Sequence, residues 1–152
     1  MRLKEDTDCF TCDFCGGIFV PEPNADGVRV LSVPAAESCP VCSLVLVHAA
    51  IVGHRLRYCT NCHGMLIAMD LFLVIVQDLR ARRETEFAAA HRPDPKDLDR
   101  HIHCPQCREP MDTHPYMGPG NVIIDSCENC SLDWLDYGEL DRIVRAPDRT
   151  YQ

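Results

Sequence analysis

The chain has 152 residues, of which 46% are hydrophobic and 25% charged, and a formal net charge of −8 at pH 7. This length predicts one or two small domains, and the composition is typical of a globular protein in water. The acidic total argues against a nucleic-acid-binding protein, because such proteins usually carry a basic surface.

Cysteine is the unusual residue, with 11 copies in the chain. The sequence starts with a mostly polar stretch that no apolar signal core follows, so we expect a cytoplasmic protein without a secretion signal. Disulfides are rare in that compartment. Clustered cysteines there indicate metal binding or redox chemistry.

The N-terminal segment, residues 1–38, contains Cys9, Cys12 and Cys15. Residues 12–20 align with residues 59–67 further along, which predicts a partial copy of the repeat described next. Three thiols do not close the tetrahedral shell of zinc, so a third metal site here needs a fourth ligand. The candidates are a water, a residue of another chain, and three histidines: His91, His101 and His103.

The first full copy, ribbon 1, spans residues 39–90 and opens with Cys39 and Cys42 of a Cys-Pro-x-Cys motif. Its hairpin is predicted over residues 44–50 and 54–59, around Gly53, and ends in a second pair, Cys59 and Cys62. A helix is predicted over residues 71–79 and is apolar nearly all round, so most of its surface must be buried. Three alternatives for the surface that buries this helix are a protein partner, a second copy of the chain and the N-terminal strand predicted over residues 27–33. The run of apolar residues is too short to cross a bilayer, and no membrane contact is expected.

A polar linker is predicted over residues 91–103, where Pro93 and Pro95 stop the preceding helix. The second full copy, ribbon 2, spans residues 104–146, with a hairpin over 111–116 and 122–126 and a helix from Glu139. Asp136 and Glu139 match a capping box at the start of that helix. Residues 147–152 are predicted to be a loose tail.

The two copies share the Cys-x-x-Cys spacing of each pair, the proline after the first cysteine and the asparagine before the last, and 16 and 19 residues separate their two pairs. Two Cys-x-x-Cys turns joined by a hairpin supply the four thiolates of a tetrahedral zinc site. The sequence therefore predicts two zinc ions bound by eight cysteines: Cys39, Cys42, Cys59, Cys62, Cys104, Cys107, Cys127 and Cys130. Iron is the alternative metal for such a shell.

Another pairing of the cysteines would leave ribbon 2 incomplete. In it, Cys12 and Cys15 would join Cys39 and Cys42, and Cys59 and Cys62 would join Cys104 and Cys107. Cys127 and Cys130 would then have no partners. The repeat alignment argues against this pairing.

The order of Cys-Pro-x-Cys, hairpin, Cys-x-x-Cys, aromatic-aliphatic pair and Gly-Glu-Leu resembles the transcription-factor-IIB-type zinc ribbon family of bacterial proteins. Ribbon 2 has every part, including Trp134-Leu135 and Gly138-Glu139-Leu140. Ribbon 1 has Leu66-Ile67 at the aromatic pair and lacks Gly-Glu-Leu. The resemblance implies zinc binding and small α+β, rubredoxin-like repeats, each a β-hairpin ribbon followed by a helix. It implies little about biological role.

Three classes of function follow from these features. A zinc-stapled adaptor that binds another protein, with a link to transcription, is favoured, because a filled four-cysteine shell has no open position for catalysis. A nucleic-acid-binding ribbon is the alternative and requires its arginines on one face: Arg55, Arg57, Arg80, Arg82 and Arg83. A thiol-redox or metal-dependent enzyme is disfavoured, since the chain has no recognisable catalytic motif; no catalytic residue or organic cofactor is predicted.

Overall fold

The computed structural model describes residues 2–3, 9–24, 27–82, 99–116 and 122–145. The described strands are β1 (Arg2–Leu3), β2 (Phe10–Thr11), β3 (Ile18–Phe19), β4 (Arg29–Ser38), β5 (Val45–Ile51), β6 (His54–Tyr58), β7 (Met65–Ala68), β8 (Asp112–Pro115), β9 (Ile123–Cys127) and β10 (Leu132–Leu135). The described helices are α1 (Met69–Arg82) and α2 (Glu139–Arg145). Antiparallel strands with two helices confirm the predicted mixed α and β fold in outline.

Both ribbons contribute to one antiparallel sheet of seven strands, in the order β4-β5-β6-β7-β10-β9-β8. The antiparallel pairing of β7 with β10 joins the hairpin of ribbon 1 to the hairpin of ribbon 2. The pairing places Leu66 opposite Trp134. These two residues occupy the same position after the last cysteine of each copy, so the ribbons are related by an approximate twofold axis through this pair.

The two faces of the sheet carry different cores, because side chains alternate along each strand. Met65, Ile67 and Leu135 face the helices and lie in a core with the buried residues of α1 and α2. Leu66 and Trp134 face the other way and pack among the cysteines of both ribbons. The second face therefore supports both cysteine clusters with one apolar core.

The helices bury equivalent residues of the two repeats against the sheet. Phe72, Ile75 and Val76 of α1 are buried, and so are the matching residues of α2: Leu140, Ile143 and Val144. The chain's own sheet thus covers the inner face of α1, and the exposed large apolar residues of α1 are Leu73 and Val74. None of the described helices has the length and apolarity needed to cross a membrane.

Two of the predicted segment boundaries lie next to elements that pack on a ribbon. β4 belongs to the predicted segment 1–38, yet it pairs with β5 of ribbon 1. The end of the predicted linker contacts ribbon 2, since Ile102 is buried and accepts a hydrogen bond from the Met111 amide at 2.9 Å. Residues 83–98 and the tail lie outside the described residues, and the segment limits stay predictions.

The strands β1, β2 and β3 form a separate sheet in that order. β2 and β3 pair Phe10 with Phe19 and Thr11 with Ile18. The loop between them contains Cys12 and Cys15. This hairpin with a Cys-x-x-Cys turn at its tip is the arrangement expected of a partial ribbon copy, which stays a prediction.

Candidate metal centres

The repeat-based cysteine groups assemble in the structure. Cys39, Cys42, Cys59 and Cys62 form one group, and the second consists of Cys104, Cys107, Cys127 and Cys130. Within each group the four sulfur atoms lie within 4.8 Å of one another. The alternative pairing across the N-terminal segment is wrong, because the hairpin of each ribbon brings its own two cysteine pairs together.

Each cysteine pair lies on a turn that we call a knuckle, formed by Cys-x-x-Cys and the residue after it. In the first knuckle of ribbon 1, the Ser43 amide donates to the Cys39 carbonyl at 2.9 Å and the Cys39 amide to the Leu44 carbonyl at 2.6 Å. The residue after the second cysteine has a positive φ in every ribbon knuckle: Ser43 (64°), His63 (62°), Arg108 (66°) and Ser131 (55°). This left-handed residue reverses the chain and aims both sulfur atoms at one point.

Backbone amides donate hydrogen bonds to the sulfur atoms. Cys39 Sγ accepts from the amides of Val41 at 3.4 Å and Cys42 at 3.2 Å. The amide of Gln106 donates to Cys104 Sγ at 3.4 Å in the same way. Asn61, one of the repeated asparagines, donates from Nδ2 to Cys42 Sγ at 3.2 Å. These donors stabilise thiolates, which are the ionised ligands that zinc requires.

The spacing of the sulfur atoms fits zinc. A tetrahedral site with Zn–S bonds of about 2.3 Å has neighbouring sulfur atoms about 3.8 Å apart. Cys39 Sγ and Cys62 Sγ lie 3.6 Å apart, and so do Cys107 Sγ and Cys127 Sγ. Two four-thiol groups of this size are compatible with two Zn²⁺ ions, as predicted.

The pKa values show why four such thiols need a cation. The Glu109 amide donates to Cys107 and lowers the pKa of that thiol to about 7. Loss of water contact, followed by the neighbouring thiols Cys107 and Cys104, raises the pKa of Cys130 to about 12. One thiol of the group ionises readily and the next resists a second negative charge, so a divalent cation would stabilise the four thiolates together.

The predicted third set does not assemble as a group of three. Among the described residues, Cys9, Cys12 and Cys15 are not part of any group of three or more ligand atoms within 4.8 Å. His101 and His103 do not join such a group either, and His91 lies outside the described residues. Cys12 and Cys15 alone retain a knuckle, in which the amides of Cys15 and Phe14 donate to the Cys12 thiol and lower its pKa.

The apolar core between the two metal centres depends on a close contact between Gly64 and Trp134 that was not predicted from the sequence. Trp134 is fully buried, and its ring lies against Gly64, where an added Cβ would be 2.2 Å from Cζ2 of the indole. A glycine is therefore required at position 64 by the size of its neighbour. The equivalent residue of ribbon 2 is Leu132, which packs in the same core with Leu66.

A buried polar network beside the second metal centre was also not predicted from the sequence. Arg100, assigned to the linker, forms ion pairs with Asp125 and Asp136. Asp125 is 1% exposed and accepts a hydrogen bond from the Thr113 hydroxyl at 2.6 Å. The acidic pattern in β9 and β10 was the available signal, since buried carboxylates need a cationic partner.

The candidate phosphate-binding arginines do not share one free face. Arg57 pairs with Glu37 at 2.9 Å, and Arg80 donates to the carbonyls of Ile143 and Val144 at the end of α2. Arg55 and Arg82 are exposed, and Arg83 lies outside the described residues.

Comparison with known families gives a match for ribbon 2 alone. Residues 103–146 match the family model described as transcription factor zinc-finger. This zinc-finger match covers ribbon 2 with α2, and it confirms the resemblance for that copy. Ribbon 1 lies outside the match but has the equivalent four-thiol group. No curated protein and no solved structure matches the chain significantly.

Proposed function

We propose that the protein is a module whose fold is stabilised by bound zinc, that it binds another protein, and that it has no catalytic activity of its own. The observation that supports it is the completeness of each four-thiol group, which leaves zinc no open position for water or substrate. Both ions would then stabilise a sheet that is small for an independent core. A link to transcription rests on the zinc-finger match of ribbon 2.

The remaining polar groups also favour a non-catalytic role. Ser126, His114 and Asp133 are close together, but the Ser126 hydroxyl donates to Asp133 at 2.6 Å while His114 Nε2 contacts its oxygen at 2.8 Å. A nucleophilic serine would donate to the histidine, and Ser126 is only 5% exposed. The described residues include no buried side-chain nitrogen or oxygen without a hydrogen-bond partner.

A cavity of about 90 Å³ beside the helices does not change this proposal. It is lined by Met65, Leu79, Gly138, Leu140, Asp141 and Val144. Binding sites for small molecules are usually about 300–1,000 Å³ and contain several convergent polar groups. This cavity is smaller and offers one carboxylate.

The closed shells can be tested by replacing zinc with cobalt, whose visible spectrum reports its ligands. We expect the spectrum of a tetrahedral four-sulfur site, unchanged when azide or imidazole is added. A spectrum that shifts with added ligand would reveal an open position and contradict the structural role.

The proposed partner contact is the exposed stripe of α1 at Leu73 and Val74. The native chain is cross-linked in its own cells, and the extract is compared with and without nuclease treatment. We expect the native chain to recover partner proteins after nuclease treatment. The double variant, Leu73→Glu with Val74→Glu, should recover much less of these proteins. Val33→Glu, a matched change at an exposed residue of β4, is the control. Equal recovery by all three would reject α1 as the contact. Recovery that disappears with nuclease would favour the nucleic-acid alternative.

A further inference from the structure

The N-terminal half ribbon, residues 9–20, has the same backbone pairing as the second half of ribbon 1. β2 and β3 pair Phe10 with Phe19 and Thr11 with Ile18. β6 and β7 pair Arg57 with Leu66 and Tyr58 with Met65. Adding 47 to each N-terminal residue number gives its ribbon 1 equivalent, so the alignment seen in the sequence is also an alignment of strand register.

Its knuckle also has the geometry of a metal-binding knuckle. The Cys12 amide donates to the Gly17 carbonyl at 2.9 Å and the Gly16 amide to the Cys12 carbonyl at 3.0 Å. The corresponding bonds of Cys59 are 3.0 and 2.9 Å. Gly16 has a φ of 69°, close to the 62° of the equivalent His63. Two sulfur atoms are therefore held as in the metal centres.

This half ribbon differs from ribbon 1 because the described part of the chain places no second cysteine pair beside it. The described residues place no third cysteine, histidine or carboxylate with Cys12 and Cys15. Cys15 is exposed, whereas both ribbon groups contain two buried cysteines each. A tetrahedral zinc site would thus have two ligands here and lack two.

The half ribbon also exposes the apolar residues that ribbon 1 buries. Phe14 is 102% exposed, Ile18 68%, Phe19 47% and Val20 50%. The equivalents of the last three, Met65, Leu66 and Ile67, are at most 2% exposed, because β10 and the core cover them. Exposed apolar side chains beside two metal ligands are typical of a binding surface.

We propose that two copies of this chain share one zinc ion, each supplying Cys12 and Cys15. With a twofold axis through the metal, each chain supplies two thiolates, and the two chains together complete the set of four without any other component. The same contact buries the apolar residues around the knuckle in both copies. Four thiols lose their protons to solvent as four Zn–S bonds form, and no redox change is involved. This inference does not rest on the proposed protein-binding function.

The test is the zinc content and mass of the full-length protein, purified with zinc and a phosphine reductant that excludes disulfides. We expect a dimer with about 2.5 zinc ions per chain: two in the ribbons and half of the shared ion. Cys12→Ala with Cys15→Ala should give a monomer with two zinc ions and an unchanged circular dichroism spectrum. Cys9→Ala, the matched control, should remain a dimer.

Three results would overturn the proposal. A monomer with three zinc ions would place the missing ligands within one chain, and a monomer with two would show that the half ribbon binds no metal. A dimer that survives loss of Cys12 and Cys15 would be held by apolar contacts alone.

Dilution of the native protein gives a test that needs no variant. A shared ion requires two chains, so its occupancy should fall with dilution while the two ribbon ions stay bound. Zinc loss that does not depend on protein concentration would contradict a shared site.

Discussion

Ribbon 1 and ribbon 2 arrange the same backbone around the same cysteine pattern, yet equivalent positions carry different chemistry. Arg57 of β6 corresponds to Asp125 of β9, and Met65 of β7 to Asp133 of β10. Ribbon 2 buries Asp125, Ser126 and Asp133, whereas the matching residues of ribbon 1 include Tyr58 and Met65. The difference shows that the metal-binding turns and strand register define this fold, while the side chains between them can diverge.

The ion pairs of the two ribbons show this divergence most clearly. In ribbon 1 the strand supplies the cation, and Arg57 pairs with Glu37 before the first cysteine. In ribbon 2 the strand supplies the anion, and Asp125 pairs with Arg100 before the first cysteine. The strand position of the pair is kept and its polarity is reversed, while the partner lies two residues before the first cysteine in ribbon 1 and four residues before it in ribbon 2. Each ribbon thus attaches its incoming segment by an ion pair to the same strand position.

The largest effect should come from a zinc ligand, and it tests whether the ribbons are one unit. Structural zinc contributes roughly 10–16 kcal/mol to small domains, which equals or exceeds the usual domain stability of about 5–15 kcal/mol. Because β7 and β10 share a ladder and one apolar core, we expect Cys127→Ser to unfold both ribbons and release both of their zinc ions. Elemental analysis with circular dichroism measures this. A variant that keeps the ribbon 1 zinc and half of its strand signal would show that the ribbons fold independently.

The second effect concerns the reversed ion pairs. Arg100→Met leaves Asp125, 1% exposed, without its cation, and we expect a loss of about 2–3 kcal/mol, moderated because the Arg100 side chain is 34% exposed. Arg57→Met, the matched change in ribbon 1, should cost less than about 1 kcal/mol. Urea unfolding with zinc present gives both values. Equal losses would mean that burial of the acid does not distinguish the two pairs.

The third effect tests the packing across the approximate twofold axis. Gly64→Ala should destabilise the protein by about 1–3 kcal/mol, since its Cβ would overlap the Trp134 ring. In a Trp134→Leu background the same substitution should be nearly neutral, because the second ribbon would then have the smaller residue found at Leu66. A double-mutant cycle by urea unfolding measures the coupling. Additive losses would show that Gly64 is needed for another reason.

Much of both metal centres could be predicted from the sequence because their determinants are local. A Cys-x-x-Cys turn and a hairpin are formed by neighbouring residues, and the predicted hairpins agree with β5, β6, β8 and β9 within about two residues. The register of the N-terminal half ribbon followed from the same local pattern.

The joining of the ribbons could not be predicted, because it depends on contacts between distant residues. Leu66 and Trp134 were aligned as equivalents, but alignment does not reveal that equivalents lie opposite each other on paired strands. The full length of β4, at Arg29–Ser38, was also missed, since its Pro34 and irregular pairing with β5 break the strand pattern. Arg100 was assigned to a linker because its partners, Asp125 and Asp136, are far along the chain.

The last comparison concerns the helix starts, where the ribbons differ again. α2 begins with a capping box in which Glu139 Oε2 accepts from the Asp136 amide at 2.7 Å. The equivalent of Glu139 in α1 is Leu71, and the Met69 amide there donates to the Ser131 carbonyl of ribbon 2 at 2.9 Å. Burial, then the charge of Asp136, raises the pKa of Glu139 from 4.5 to about 8.

Between these two pKa values the folded protein binds more protons at Glu139 than the unfolded chain, so its stability falls as the pH rises from about 4.5 to about 8. Glu139→Gln keeps an acceptor for the Asp136 amide and removes the ionisation. We therefore expect the variant to gain stability over the native protein between pH 6 and pH 9, measured by urea unfolding with zinc present. Titration of the metal ligands cancels in this difference. Glu22→Gln, at an exposed residue, is the control. A stability difference between Glu139→Gln and the native protein that does not change with pH would mean that the pKa of Glu139 is not raised on folding.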